Sequence, residues 1–479
     1  MLILIITLAL AVSAYYFSSI SIVDLKVNNL NDTRLALKKA KQLLLNYAVM
    51  HASQNGAGNG LGGGDPGEYG YFPCPYITQG NVVNEGKQNG NCGAANINSM
   101  GYLPWTSLQS EILRDGHGNC LWYAVSGAYK NATNSGLINE DTNGMFQIVD
   151  SGNNVIAGVT PENRIVAVVF APGAALGAQS RVADVNFSCG SDGTNAAAYL
   201  EGNGNTDNAT LLTDADNLDT FIQASLTSDN DSPPYNDHFI TITRSEIWAA
   251  IMATTTARSE FNNKMTNLTA ALAECLRRYA LKNTKNRLPW PAPMSLTDYR
   301  VNNNYADVTG YAGRLPFIVA DSNTAIGVGT NNELFVEAGC NVAGGFPVDL
   351  IYTPPAPPPP SESRTLWNNW KDHFFYVLSK DYEPATSTAS ACAGNCITVN
   401  NIKMAGVVIF SGSRQANSSQ LRNGGIATDE ADTKQNIRNY IEGVNNQTAF
   451  IDATGTGDYF SGGNDIMYCI QPDLNVVSC

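Results

Sequence analysis

The chain has 479 residues, of which 43% are hydrophobic and only 15% charged, and its net charge is −14. That length exceeds what one hydrophobic core ordinarily organises, and it implies two domains or more. The acidic balance excludes the clustered Lys and Arg on which nucleic-acid binding rests, and it equally excludes charge-driven adhesion to anionic lipid.

Met1 to Val23 carries no charged residue, the first being Asp24. As a helix this segment would be about 34 Å long, enough to cross a bilayer. A secretory peptide cleaved after Val12-Ser13-Ala14 fits the small-residue rule, but no basic residue precedes the apolar run. A plain membrane anchor is physically adequate. The sharper reading makes Met1 a mature N-terminus, exposed when a short basic leader is removed. Next, Thr33 to Ala52 places Leu37, Ala40, Leu44, Tyr47 and Ala48 at helical spacing, with Lys38, Lys39 and Lys41 turned elsewhere. Between the two stretches, Ser18, Ser19, Ser21 and Asn28-Asn29 lower helix propensity.

A fully apolar half followed by an amphipathic half resembles the N-terminal helix of type IV pilin-like proteins. The resemblance implies that Met1, Ile5, Leu8, Leu10, Val12 and Tyr16 pack in a filament core, that the second half lies on its own globular body, and that the middle unwinds in a fibre. The family's glutamate at the fifth mature position is Ile5 here. Some minor, tip-located relatives also lack it.

Beyond residue 52 the chain repeats itself. Leu44-Leu45-Asn46-Tyr47-Ala48 matches Leu276-Arg277-Arg278-Tyr279-Ala280, and Phe72-Pro73-Cys74-Pro75 matches Leu288-Pro289-Trp290-Pro291. Gly101-Tyr102-Leu103-Pro104-Trp105 then answers to Gly313-Arg314-Leu315-Pro316-Phe317, and Trp122 to Ser126 answers to Phe375 to Ser379. Val168-Val169-Phe170 pairs with Val408-Ile409-Phe410, each followed by a Gly-containing turn and then by Gln and Arg. Tyr199-Leu200-Glu201-Gly202 pairs with Tyr440-Ile441-Glu442-Gly443, and Asn236-Asp237 with Asn464-Asp465. Short matches arise by chance singly, but not in this unchanged order.

Strands are expected at Leu121–Ser126, Arg164–Phe170, Phe239–Thr243, Phe374–Leu378, Ala405–Phe410 and Ile466–Ile470. A second helix is expected from Ser245 to about Lys282, with Glu246 in its first turn. The expected fold is therefore α+β: a long N-terminal apolar helix followed by two tandem helix-plus-antiparallel-sheet modules. Its domains are a membrane or filament-core helix at 1–30, a first module at 31–244, and a second at 245–479. The second module carries the polyproline II spacer 354–360, and Asn55–Gly70 reads as a glycine-rich loop.

No GxSxG elbow, Walker loop or HExxH site is present, so no catalytic residue is assigned. His117 and Cys120 would make a thiol–imidazole pair only if Cys120 were free, and Asp115-Gly116 with Gly118 reads better as a hairpin turn. The acid groups Asp214, Asp216 and Asp219, and Asp229, Asp231 and Asp237, offer oxygen-rich loops for Ca²⁺. They lack the glycine and distal glutamate of a helix–loop–helix site, and solvated loops are favoured. No other cofactor is implied. Sequons occur at Asn131, Asn186, Asn208, Asn267, Asn417 and Asn446.

The ten cysteines include no CxxC pair, and structural disulfides in an oxidising compartment are expected. Neighbours in sequence suggest Cys74 with Cys92 and Cys392 with Cys396. The remaining pairs would be Cys120 with Cys189 and Cys275 with Cys340. Cys469 with Cys479 would match the terminal cysteine loop of many pilins. The function that follows is a structural subunit of a type IV pilus-like extracellular filament. Its partners would be copies of itself and, before assembly, the inner membrane and the pilus assembly machinery. A minor tip pilin with an adhesive or secretion role is one alternative, and a membrane-anchored extracytoplasmic enzyme is the other.

Overall fold

The computed structural model describes residues 2–54, 69–77, 84–90, 92–94, 96–131, 138–177, 179–181, 186–190, 193–203, 206–213, 217–227, 233–283, 285–296, 298–319, 332–340, 362–385, 387–389, 391–414, 420, 422 and 431–479. Met1, the segment 354–360 and all of 55–68 lie outside the described residues.

Helix α1 spans Leu2–Gln54 without interruption, so the stretch around Ser18 and Asn28-Asn29 is helical here. In its second half Leu37, Ala40, Leu44, Tyr47 and Ala48 are buried in the core. The first sheet contains β1 (Ser99–Tyr102), β2 (Trp122–Val125), β3 (Phe146–Val149), β4 (Val155–Ala157), β5 (Ile165–Ala171), β6 (Asp219–Ile222) and β7 (His238–Thr243). Its order is β6-β3-β5-β2-β1, with β7 also on β5 and β4 on β3. Two helices follow, α2 (Arg244–Ala253) and α3 (Thr255–Lys282), separated at Thr254 where one continuous helix was expected. Thr243 and Glu246 form a capping box at the start of α2.

The second sheet contains β8 (Ala312–Arg314), then β9 (Phe374–Leu378), β10 (Gly406–Phe410), β11 (Ile466–Ile470) and β12 (Val476–Ser478), hydrogen-bonded in that order. Helices α4 (Leu334–Ala338), α5 (Glu362–Trp370), α6 (Ala431–Gln435) and α7 (Val444–Asp452) lie on its connections.

Alternation along the strands explains why they read as continuous apolar runs. Tyr123, Val125 and Val169 of the first sheet, and Tyr376, Leu378 and Val408 of the second, point into one cluster that also takes the inner faces of α1 and α3. The opposite faces are buried as well. Trp122, Val168 and Phe170 have one cover, and Phe375, Val407 and Ile409 another. With both faces buried, neither sheet has a polar side to show in its central strands.

The matched blocks Gly101–Trp105 and Trp122–Ser126 fall at the registers of Gly313–Phe317 and Phe375–Ser379. Gly101 pairs with Tyr123 and Tyr123 with Val169; Gly313 pairs with Tyr376 and Tyr376 with Val408. Val169 thus corresponds to Val408, one residue away from the sequence alignment, because the inward-facing residue decides the register. The Tyr123 hydroxyl donates to the Pro73 carbonyl at 3.2 Å, as Tyr376 does to Pro289 at 3.3 Å.

The expected fold plan is corrected on three points. Among the described residues no helix is long and apolar enough to cross a membrane. Lys26, Asp32, Arg34, Lys38, Lys39 and Lys41 lie on α1, so the uncharged stretch is only part of a mixed helix. The first sheet is mixed and not antiparallel, since β6 runs parallel to β3, and several two- and three-stranded sheets accompany the two large ones. Finally, one apolar cluster runs across position 244, so the two halves share a core and do not form a simple tandem.

Candidate functional site

Three groups of residues bear on function. The first is the N-terminal part of α1. Leu8 and Val12 are 66% and 60% exposed, and Ile6 and Tyr15 are exposed beside them. The side chains of Ile5, Leu10 and Tyr16 lie outside the described residues. No described side chain ahead of Lys26 is buried. The buried residues of α1 begin at Thr33 and continue through Leu37, so among the described side chains only those of the second half are buried against the body.

The second group is the cysteines. Five disulfides join Cys74 to Cys92, Cys120 to Cys189, Cys275 to Cys340, Cys392 to Cys396 and Cys469 to Cys479, and no cysteine is free. These are the partners set out from the sequence. Because Cys120 is bonded, it offers His117 no thiol. The Asp115 carboxylate instead accepts the backbone N–H groups of His117 at 2.9 Å and Asn119 at 2.8 Å, which closes the turn.

The third group was invisible in the sequence. Glu140 and Asp141, from the connection before β3, meet Asp372 and His373, from the turn before β9, and Arg422 and Lys434 complete the cluster. All are buried. His373 Nε2 lies 3.1 Å from Asp141 Oδ2, Arg422 Nη1 lies 3.1 Å from Glu140 Oε1, and Lys434 Nζ contacts Asp372 and stands 3.8 Å from Asp141. Arg244 Nη1 donates to the Asp141 carbonyl at 2.6 Å and to Asn143 at 2.8 Å. Asn139 reaches the other half of the chain, donating to the Asn369 carbonyl and to Asp372 Oδ1, both at 2.9 Å. Arg314 lies over the rings of Tyr299, Phe375 and Tyr440.

Burial by itself would raise the Asp141 carboxyl. His373, Arg422 and Lys434 outweigh it and hold the group well below the usual carboxylate range. Asp372 is likewise held down, chiefly by Lys434 against the cost of burial. Glu140, Asp141 and His373 have donor atoms within 4.8 Å of one another, close enough to hold a cation. Arg422 and Lys434 already occupy the anionic side of those carboxylates, so a divalent ion would enter against two fixed positive charges. The cluster is therefore an ion-paired lock between the two halves.

Other expected sites are dispersed. Asp214, Asp216, Asp229 and Asp231 lie outside the described residues. Asp219 accepts from Asn98 Nδ2 at 2.6 Å and from the Leu212 N–H at 2.7 Å. Of the sequons, Asn208 and Asn446 are buried and hydrogen-bonded within the body. A surface cavity of about 380 Å³ is bordered by Glu442, Gly443, Val444, Asn446, Phe460 and Gly463.

Comparison with protein-family models, with curated proteins and with solved structures gives no match to this chain.

Proposed function

We propose that the protein is a structural subunit of a pilus-like extracellular filament, joined to copies of itself through the N-terminal part of α1. One observation carries the reading. The helix buries its second half in its own body and leaves Ile6, Leu8, Val12 and Tyr15 exposed on the first. Leu8, Val12 and Tyr15 stand at i, i+4, i+7 spacing on one face, exposed apolar side chains of this kind favour association, and copies of the same helix offer matching surface. The uncharged run from Met1 to Val23 and its likeness to the pilin helix support the same assignment. Five disulfides suit an exported subunit that works in an oxidising compartment. The inner membrane and an assembly machinery belong to this reading as partners before polymerisation.

The cavity beside Val444 and Phe460, both exposed, favours a second reading in which few copies sit at a fibre tip and bind through this surface. Electron microscopy of native extracts separates the outcomes. Fibres made mainly of this chain are expected, and the double variant Leu8→Asp with Val12→Asp should abolish them while the body's thermal melting midpoint stays unchanged. A chain present only at fibre ends would favour the tip role. A native monomer, or fibres that persist in the variant, would end the filament reading.

A further inference from the structure

One arrangement occurs twice and is used by nothing described so far. In each half a short 3₁₀ turn, Ala196–Ala198 or Ile437–Asn439, is followed by Tyr, an apolar residue and Glu. In each half an Asn-Asp pair immediately precedes the strand on the far side, β7 or β11. The backbone N–H of Glu201 donates to Asp237 Oδ2 at 2.9 Å, and that of Glu442 donates to Asp465 Oδ2 at 2.9 Å. In return, the backbone N–H of Asn236 donates to Glu201 Oε2 at 2.9 Å, and that of Asn464 donates to Glu442 Oε2 at 2.5 Å. Two carboxyls are thereby crossed over the end of each sheet.

Among the described residues no Lys or Arg donates to either carboxyl of the first pair. Around the first pair, Gln179 donates to Glu201 Oε1 at 2.7 Å and Asn208 to Asp237 Oδ2 at 2.9 Å, both uncharged donors. Asp237 Oδ1 and Asp465 Oδ1 are buried with no hydrogen-bond partner among the described residues. Arg181 beside the first pair and Arg422 beside the second each serve several other groups as well. Arg181 donates to the carbonyls of Gly173, Ala198 and Tyr199 and to Gln179, and its charge is shared among Glu201, Asp115 and Asp237. Arg422 serves Glu140, Asp141 and His373 and lies over Tyr440. Tyr235, a neutral phenol, donates to the Ile222 carbonyl and does not reach Asp237.

We propose that each pair, Glu201 with Asp237 and Glu442 with Asp465, holds one proton at neutral pH and acts as a proton-dependent clasp across its sheet end. The proton makes one carboxyl a donor, removes one of two adjacent negative charges, and satisfies an oxygen that has no other partner. A cation in the same place would need more oxygen ligands than two carboxyls supply, and it would stand beside Arg181 or Arg422. Burial raises Asp465 to about 8, with the charge of Glu442 adding to it. Burial and then the charge of Glu201 push Asp237 well above its ordinary range, and burial raises Glu201 too. A carboxyl raised by folding binds its proton more tightly in the native chain than in the unfolded one. Its contribution is complete below the unfolded value of about 4 and is lost as pH rises through the folded value.

Infrared difference spectroscopy of the full-length chain tests this. Wild type at about pH 7 should show the carbonyl band of buried protonated carboxylic acid, and the double variant Asp237→Asn with Asp465→Asn should lose it. The wild-type melting midpoint should also fall between about pH 5 and about pH 9, with a shallower fall in the double variant. If that variant does not fold, Glu201→Gln with Glu442→Gln replaces it. If neither folds, the wild-type band must disappear reversibly as pH is raised. Absence of the band in wild type, its persistence in a folded variant, or a midpoint that is flat over this range overturns the proposal. So does a rise of the wild-type midpoint on adding CaCl₂ at alkaline pH that the double variant lacks, since the pairs would then be cation sites.

Discussion

Arg422 Nη1 stands 3.1 Å from Glu140 Oε1, and its Nε lies 4.0 Å from Asp141 Oδ1, so one guanidinium serves two buried carboxylates. Among the described residues neither Asp141 carboxylate oxygen has an aligned hydrogen bond, which makes its attraction to His373, Arg422 and Lys434 mainly Coulombic. Removing one partner from such a group leaves the others buried and unpaired. Asp141→Asn is therefore expected to cost about 3–5 kcal/mol near neutral pH, read from urea unfolding. The pH dependence has a definite sign. A carboxyl held below its ordinary range contributes stability that is present above about pH 4 and lost as pH falls toward the folded value. The gap between wild type and Asp141→Asn should accordingly shrink from about pH 5 to about pH 2. A gap that stays constant over that range would show that packing, and not charge, sets the cost.

At the scale of elements, the two antiparallel strand pairs β1–β2 and β8–β9 are built on the same close approach. A Cβ on Gly101 would stand 2.8 Å from the Tyr76 carbonyl, and one on Gly313 would stand 2.1 Å from the Ala292 carbonyl. Both carbonyls belong to short antiparallel bridges, Tyr76 with Tyr102 and Ala292 with Arg314. Each glycine lets an extra backbone segment lie against the strand pair, with Pro75 or Pro291 beside it. Gly313→Ala should force that segment away and cost about 1–3 kcal/mol. Gly310→Ala is the control, because its nearest neighbour is 4.0 Å away, and it should change stability by less than about 0.5 kcal/mol. Equal effects in thermal melting would mean that the approach is not what requires glycine at 313.

Across the whole molecule, disulfides differ in how much chain they constrain. Cys120–Cys189 spans a separation of 69 residues and Cys392–Cys396 only 4. In the chain-entropy account, the longer closure stabilises more by about 2.5 kcal/mol. Replacing both cysteines of the first pair by Ala should therefore lower the unfolding midpoint clearly more than replacing both of the second. The reverse order would place the larger effect in native-state packing around Cys392 and Cys396. The shared core gives a reason for global cooperativity as well, since α1, α3 and the inner faces of both sheets bury side chains in one cluster.

Strand positions such as Phe374–Leu378 and Ile466–Ile470 were readable because β-branched and aromatic runs leave little other choice. The ordered blocks of repeated sequence were readable for a related reason: each half solves the same packing problem with similar residues. Cysteine proximity pointed to partners because short loops close most easily. What the tertiary structure alone decided lies where distant segments meet. Glu140, Asp141, Asp372, His373, Arg422 and Lys434 carry no shared motif, and only the return of the second half onto the first makes them neighbours. The pairs Glu201–Asp237 and Glu442–Asp465 stood in matched blocks, yet nothing in their spacing showed that each Glu meets its Asp. The one-residue shift at Val169 and Val408 had the same origin, since strand register is set by which side chains a common core will accept. The uncharged run at the start of the chain was plain from composition. How the helix that contains it behaves depends also on the charged residues from Lys26 onward, and on a body in which its second half is buried.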